Sequence, residues 1–297
     1  MNLLNLIRWP NLLIVALTQL LIKYCVINPL LFEEAVSTKV NLFGMLILIL
    51  TTILVTASGN IINDIYDVAA DKINKPEKQI VGKSISIKKS WGLYITFSLL
   101  GIGLGFVFAY SIGILWFGFL FLVIELLLWA YSFWLKKIIL IGNVVVALLS
   151  ALVLFFVWLP DLLSIGYNNI ETYFILVYSF FAFLVSLVRE IIKDIEDVKG
   201  DAITYNHTLA IVLGKSITKT IVSLLIVLLI TIIALFQYDV WHHNNYIIVI
   251  YLMLLVQLPL IGLLYKNISA STQLDFHKAG TYTKMIMITG VLSMLFI

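Results

Sequence analysis

Long apolar runs alternate with short polar segments along almost the whole sequence. A helix needs about 20 predominantly apolar residues to cross the hydrocarbon core of a bilayer, and most of these runs reach or approach that length. Backbone groups inside a bilayer must be hydrogen-bonded within the protein, so runs of this kind fold as helices. The pattern predicts nine membrane-spanning helices, with approximate bounds 11–31, 41–62, 93–110, 113–134, 141–159, 172–192, 217–236, 246–265 and 283–297.

The composition supports a polytopic membrane protein of the all-α class. Hydrophobic residues make up 62% of the chain and charged residues 12%, whereas soluble domains contain about 25% charged residues. The first apolar run is too long for a secretory signal peptide and lacks the small-residue cleavage site, so we expect it to be the first span. The single cysteine, Cys25, excludes an internal disulfide.

Basic residues concentrate on one side of the predicted membrane, which identifies the cytoplasmic side. Since successive helix ends alternate sides, this distribution also supports the count of nine. The side that holds the N-terminus carries Arg8, Lys72, Lys75, Lys78, Lys83, Lys88, Lys89, Lys136, Lys137, Arg189, Lys193, Lys199, Lys215, Lys219, Lys266, Lys278 and Lys284. The other side carries Lys39, Glu33, Glu34, Asp161, Glu171 and Asp239.

This asymmetry predicts an integral protein of the cytoplasmic (inner) membrane with its N-terminus in the cytoplasm. The basic residues are scattered through membrane-flanking loops without a binding module, so we expect no nucleic-acid partner. Lys23 lies deep in the first span, and we expect its amino group to reach the outer interface, as long cationic side chains do.

Two acidic motifs interrupt the apolar pattern on the predicted cytoplasmic side. The first motif, "NDIYDVAADKINKP" at 63–76, follows the second span, and the second motif, "REIIKDIEDVKGD" at 189–201, follows the sixth. Aspartates recur at i, i+3 and i+7 in both motifs, a spacing that aligns side chains along one stripe of a helix. The aspartates are Asp64, Asp67 and Asp71 in the first motif and Asp194, Asp197 and Asp201 in the second, with Glu190 one turn earlier.

Carboxylates stacked at this spacing repel one another, and a positive partner must compensate. Magnesium is suitable, because it takes one or two carboxylates, keeps waters and commonly completes its shell with substrate phosphates. Two such helix ends that face each other would hold two or three ions around a diphosphate. The alternative is that these aspartates are solvated charges at helix ends, paired with nearby lysines.

Several polar residues flank the motifs and are candidate substrate contacts. Lysines can contact phosphate oxygens as point charges. Lys75, Lys78 and Lys193 lie in or beside the motifs, and Lys136 lies between the fourth and fifth spans. Arg8 and Asn11 stand at the entrance of the first span, and Asn143 lies early in the fifth. Aromatic faces stabilise cations, and Tyr131 is our candidate for that role.

The two motifs resemble the paired aspartate-rich motifs of the UbiA superfamily of intramembrane prenyltransferases. The resemblance covers nearly the whole chain, which it implies is a single domain, residues 1–297, with about nine helices around a central cavity. It implies a prenyl diphosphate bound through Mg²⁺, with the isoprenoid tail between the helices. By position, the implied metal-binding residues are Asn63, Asp64, Asp67, Asp71, Asp194, Asp197 and Asp201.

Three further stretches resemble the branch of this superfamily that transfers geranylgeranyl groups to geranylgeranylglyceryl phosphate. They are "LIRWPN" at 6–11, "AYSFWLKKIILIGNVVVA" at 130–147 and "REIIKDIEDVKGDAITYNHTLAIVLG" at 189–214. Related forms of the second motif also occur in branches with aromatic acceptors. The segment "KPEKQIVGKSIS" departs from the superfamily, because it lacks the usual Arg-Pro-Leu-Pro-Ser run and has Lys75 where arginine is frequent.

The resemblance implies ionisation of an allylic C–O bond and capture of the prenyl cation by an acceptor, in a chamber that excludes water. We expect catalytic roles for Asp67, Asp194, Lys193 and Tyr131. Substrate contacts are expected from Arg8, Asn11, Asn63, Lys75, Lys78, Lys136, Asn143 and Arg189. The acceptor is geranylgeranylglyceryl phosphate or, alternatively, an aromatic compound of quinone biosynthesis.

Two other classes of protein are alternatives. An ion-coupled transporter also uses intramembrane carboxylates, but it commonly places them near the bilayer midplane on interrupted helices. A non-catalytic membrane scaffold would not require two matched acidic motifs.

Overall fold

A computed structural model describes residues 2–33, 35–165, 170–204 and 207–297, and these residues form a bundle of helices. Nine helices within these ranges are long and apolar enough to cross a membrane. They are α1 (Trp9–Glu33), α2 (Leu42–Tyr66), α3 (Ile87–Ser111), α4 (Leu115–Phe133), α5 (Ile141–Ser164), α6 (Ile170–Ile203), α7 (Gly214–His242), α8 (Tyr246–Ser269) and α9 (Gln273–Phe296). The predicted all-α class and the count of nine are confirmed.

Two helices begin well before their predicted starts, because polar caps and charged first turns belong to them. The Ser86 side chain accepts a hydrogen bond from the backbone of Lys89 and starts α3, which the apolar pattern placed from residue 93. Thr272 and Asp275 form a capping box that starts α9, ten residues before the predicted bound of 283. Side-chain caps satisfy the free N–H groups of a first helical turn, so helices extend beyond their apolar stretch.

The part of the first motif that follows α2 packs against the end of α6 that carries the second motif, at what we call the motif end of the bundle. Helix α2 stops at Tyr66, because Asp67 leaves the helical conformation with φ −91° and ψ 3°. A separate short helix, Val68–Asn74, then carries Asp71. The expectation that the first motif lies on one continuous helical stripe is therefore wrong, whereas the second motif lies within α6 as predicted.

A sealed charge pair lies toward the opposite end of the bundle. Lys23 is 1% exposed and Asp161 is fully buried, and the Lys23 Nζ lies 3.2 Å from the Asp161 Oδ2. The other Asp161 oxygen accepts a hydrogen bond of 2.5 Å from the backbone N–H of Lys39, and Thr38 contacts both Lys23 and Asp161. The expectation that the Lys23 amino group reaches the interface is wrong, because Asp161 and Thr38 accept its hydrogen bonds inside the protein. Glu34, predicted on the same side, lies outside the described residues.

Two hydrophobic cores build the bundle around a cavity. One core joins α6 to α7, α8 and α9, with Val188, Val222 and Val256 fully buried. The other joins α1 to α2, α3, α4 and α5 and includes the fully buried Phe108 and Trp158. Helix α6 contributes residues to both cores. The cavity that runs along α6 is therefore held in place by helices of both cores.

Candidate active site

A cavity of about 310 Å³ runs from the motif end into the apolar interior. Along α6 its lining extends from Lys193 to Tyr178, a separation of 15 residues or about 22 Å at the helical rise. Polar and charged side chains line the motif end, and apolar side chains line the remainder. Six predicted site residues line this cavity, namely Arg8, Asn11, Asn63, Tyr131, Arg189 and Lys193.

Four basic side chains and one carboxylate line the motif end of the cavity. Arg189 is ion-paired with Glu190, and Lys193 Nζ lies 4.0 Å from the other Glu190 oxygen. Lys284 donates a hydrogen bond of 3.4 Å to Asn11. We call Arg8, Arg189, Lys193 and Lys284 the basic cluster. These four cations outnumber Glu190 and Asp64, the carboxylates that pair with them, so this part of the cavity favours an anion.

Two aspartates of the first motif contact cationic side chains from two other parts of the chain. Asp64 lies 2.6 Å from an Arg8 guanidinium nitrogen, and Asp67 lies 2.6 Å from Lys136 Nζ. Asn63 donates a hydrogen bond of 2.8 Å to Asp67. These contacts place Lys136, which follows α4, directly against the first motif, in agreement with its predicted location near the site.

The second motif is held by the fifth helix and by the loop after the first motif. Asn143 on α5 donates a hydrogen bond of 2.8 Å to Asp194, and Lys75 Nζ lies 2.7 Å from Asp197 Oδ2. Lysine therefore provides at position 75 a charge partner for the second motif. Asp201 lies in the last turn of α6, partly buried.

A glycine allows the two motifs to pack against each other through uncharged groups. Asn74 donates a hydrogen bond of 2.9 Å to the carbonyl oxygen of Asp197 and accepts one of 2.8 Å from the backbone N–H of Gly200. A side chain on Gly200 would overlap Asn74 and would lie 2.8 Å from the carbonyl oxygen of Ala70. Only glycine permits this close approach of the short helix to α6.

The donor atoms at the two motifs fit a hard divalent cation, although no three carboxylate, histidine or cysteine residues among those described converge as a ready-made ligand group. Asp197 Oδ1 is buried and has no hydrogen-bond partner in the described part of the chain. Burial, followed by repulsion from Asp67 and Asp64, raises the pKa of Asp71 to about 6. A bound cation would give Asp197 Oδ1 a partner and would offset the repulsion between Asp71 and its neighbouring carboxylates. Carboxylate oxygens are the ligands that magnesium prefers.

Lys75 and Lys136 form ion pairs with aspartates of the motifs, as expected if these aspartates were solvated charges at helix ends. The pairs are, however, partly buried. The side chains of Lys136 and Asp67 are 11% and 24% exposed. Most predicted site residues thus meet at the motif end, whereas Lys78 is exposed and does not line the cavity. The magnesium site and the assigned residue roles stay predictions.

Three residues of the site were not predicted as such. Lys284 and Glu190 line the cavity, and Asn74 joins the two motifs. Lys284 appeared in the sequence only as one of many membrane-flanking lysines, because its proximity to Asn11 depends on the packing of α9 against α1. The asparagine of "DKINKP" has no local pattern that would identify its partner 126 residues away.

Comparison with known proteins identifies relatives of this chain. A model of the UbiA prenyltransferase family matches residues 34–278. The digeranylgeranylglyceryl phosphate synthase of Methanosphaera stadtmanae is 32% identical over 246 residues, which cover 82% of this chain and 84% of the relative. The family model and this relative both extend over most of the chain.

Two solved structures share the fold. One concerns digeranylgeranylglyceryl phosphate synthase in membranes, with a TM-score of 0.63, 21% identity and coverage of 99% of this chain and 98% of that chain. The other is a UbiA homolog from Archaeoglobus fulgidus bound to GPP and Mg²⁺, with a TM-score of 0.59, 14% identity and coverage of 99% of each chain. At these identities the likeness establishes the helical fold.

Proposed function

The chain belongs to the UbiA prenyltransferase family, and from that premise we propose that it transfers the prenyl group of geranylgeranyl diphosphate to geranylgeranylglyceryl phosphate in the presence of Mg²⁺. It is an integral membrane enzyme, so the alternatives of an ion-coupled transporter and of a non-catalytic scaffold are not retained. We infer further that the motif end faces the cytoplasm and that residues 1–297 form one domain.

The basic cluster is the observation that supports this acceptor. The substrates of the proposed reaction carry two anionic groups, a diphosphate and a phosphate monoester. The acidic motifs would hold the first together with Mg²⁺. Arg8, Arg189, Lys193 and Lys284, which outnumber their carboxylate partners Glu190 and Asp64, would hold the second. Arginine and lysine are the side chains that bind phosphate groups most readily.

The residues that would hold Mg²⁺ are the seven of the two motifs, Asn63, Asp64, Asp67, Asp71, Asp194, Asp197 and Asp201. When bound, the ion supplies positive charge against the departing diphosphate. Lys75 and Lys136 contact Asp197 and Asp67, and they would exchange these carboxylates for diphosphate oxygens when the substrate enters.

The reaction breaks the bond between the first prenyl carbon and the diphosphate oxygen, whose electron pair leaves with the diphosphate. A hydroxyl oxygen of the acceptor forms the new C–O bond and loses its proton, which the departing diphosphate accepts. Tyr131 lines the cavity, and its ring would stabilise the prenyl cation by a cation–π interaction. The apolar lining beyond it excludes water, which would otherwise capture the cation.

The test uses the purified full chain in liposomes with Mg²⁺ and labelled geranylgeranyl diphosphate. Geranylgeranylglyceryl phosphate and phenolic acids are offered in parallel. We expect a prenylated glyceride that is lost in Asp67→Ala and in Asp194→Ala and is kept in Glu77→Ala, which changes an exposed carboxylate near the first motif. Diphosphate release that survives both aspartate substitutions would exclude the proposed site, and a prenylated phenol as the main product would exclude the proposed acceptor.

A second measurement tests the basic cluster. Lys284→Ala should raise the KM for geranylgeranylglyceryl phosphate by about tenfold and leave the KM for the donor unchanged. Lys278→Ala is the matched control, because it removes an exposed lysine of the same helix. An equal rise of both KM values in Lys284→Ala would assign this lysine to the diphosphate instead.

A further inference from the structure

Two aromatic rings close the cavity at its apolar end. Tyr178 and Phe181 lie three residues apart on α6 and line both the main cavity and a smaller one beyond it. We call these two residues the aromatic partition. They are the residues that the linings of the two cavities share.

Helix α9 fixes both rings. The Tyr178 hydroxyl lies 2.7 Å from Ser293 Oγ, and Ser293 donates a hydrogen bond of 2.6 Å to the carbonyl oxygen of Gly290. The serine hydroxyl has one proton, so the tyrosine is the donor to it. A side chain on Gly290 would overlap the ring of Phe181, which therefore lies directly against the α9 backbone. Both rings are therefore in direct contact with α9.

The second cavity is small and apolar. Its volume is about 30 Å³. A buried water needs two or more polar partners, and this lining offers few. Apart from Tyr178, Gly290 and Ser293, its lining consists of hydrocarbon and aromatic side chains, namely Val177, Phe181, Leu184, Leu229, Ile232, Ile233, Phe236, Leu252 and Val256. This space suits the end of a hydrocarbon chain.

We propose that the aromatic partition is the end stop for the prenyl tail and sets the length of donor that the enzyme accepts. The inference rests on the proposed function, which places the diphosphate at the acidic motifs, where Asp194 is adjacent to Lys193 on α6. From there the main cavity follows α6 for about 22 Å to Tyr178. A longer tail would meet the rings of Tyr178 and Phe181. Removing the Phe181 ring would join the two cavities and make room for a further isoprene unit.

The experiment measures the binding of unreactive thiolodiphosphate analogues with farnesyl, geranylgeranyl and geranylfarnesyl tails to the purified full chain with Mg²⁺. In Phe181→Ala the Kd ratio should shift by about tenfold toward the geranylfarnesyl analogue, relative to the geranylgeranyl one. In Phe181→Trp the ratio should shift toward the farnesyl analogue. Phe180→Ala is the matched control, because Phe180 is the neighbouring phenylalanine on α6 and is 46% exposed.

Phe181→Leu replaces the alanine variant if the latter does not fold, with a smaller shift in the same direction. Unchanged ratios in both the smaller and the larger substitution would overturn the proposal, as would an equal shift in Phe180→Ala. The measurement needs no acceptor, so its result is independent of the acceptor assignment. Failure of the proposed function would appear as absent transfer to geranylgeranylglyceryl phosphate, whatever the preference for tail length.

Discussion

The bundle holds charge in two different ways at its two ends. At the motif end, the pairs Lys136–Asp67 and Lys75–Asp197 are partly exposed and lie beside a cavity. At the opposite end, Lys23 and Asp161 are 1% and 0% exposed and have further partners in Thr38 and the backbone of Lys39. The sealed pair has no room for a ligand, whereas each pair at the motif end can exchange one partner. We infer that burial distinguishes structural charge from functional charge in this protein.

The largest effect is expected at the sealed pair. Lys23→Ala leaves the Asp161 carboxylate buried without its cation, so the free energy of unfolding should fall by about 3–5 kcal/mol. Thermal unfolding in detergent measures this loss. The double variant Lys23→Met with Asp161→Asn should recover most of it, since asparagine keeps an acceptor oxygen for Lys39 N–H. Lys39→Ala removes an exposed lysine nearby and should change little; an equal loss there would contradict the comparison.

The next effect concerns Asn143, which positions Asp194. Asn143→Ala removes the hydrogen bond of 2.8 Å to this carboxylate. We expect kcat to fall by about 10–100-fold, because Asp194 is a proposed metal ligand and residues that orient such ligands have effects of this size. The KM for the acceptor should stay unchanged. Ser150→Ala on the same helix is the control, because Ser150 lines the cavity and donates to its own helix. A loss of stability with unaltered kcat would make Asn143 a purely structural residue.

A smaller effect is expected from Lys136→Ala. Since the pair with Asp67 is partly exposed, its loss should change stability by less than about 1 kcal/mol. The KM for the prenyl diphosphate should nevertheless rise by about tenfold, because the same lysine would contact the diphosphate. Steady-state kinetics and unfolding measured on the same preparation separate the two effects. Lys137→Ala provides the adjacent control, and a matching rise there would indicate a general charge effect.

The smallest effect is expected from Lys75→Arg. Both side chains are cationic, and a guanidinium can also pair with Asp197, so the KM for the donor should change by less than about threefold. Lys75→Gln keeps a polar side chain that can donate a hydrogen bond but removes the charge, and it should raise this KM more. If the arginine and glutamine variants behave alike, Lys75 acts through its shape rather than its charge.

The sequence predicted the helices and most of the polar residues at the motif end, because both depend on local patterns. Apolar runs define spans, and the i, i+3, i+7 spacing identified both motifs. The sequence pattern could not show that Asp67 interrupts the helix of the first motif or that α9 begins at Gln273. These features depend on helix caps and on packing. Lys23 was misjudged because its partner Asp161 is 138 residues away.

The packing of Asn74 against Gly200 has a thermodynamic consequence for the site. Two hydrogen bonds between uncharged backbone and amide groups join the motifs beside the Lys75–Asp197 ion pair, so we expect their separation to depend only in part on ionic strength and to persist without a bound ion. The conformational entropy of bringing the carboxylates together is lost during folding rather than during binding. We therefore expect substrate and ion to meet a preorganised site, so that the free energy of their association would be available for chemistry instead of for ordering the protein.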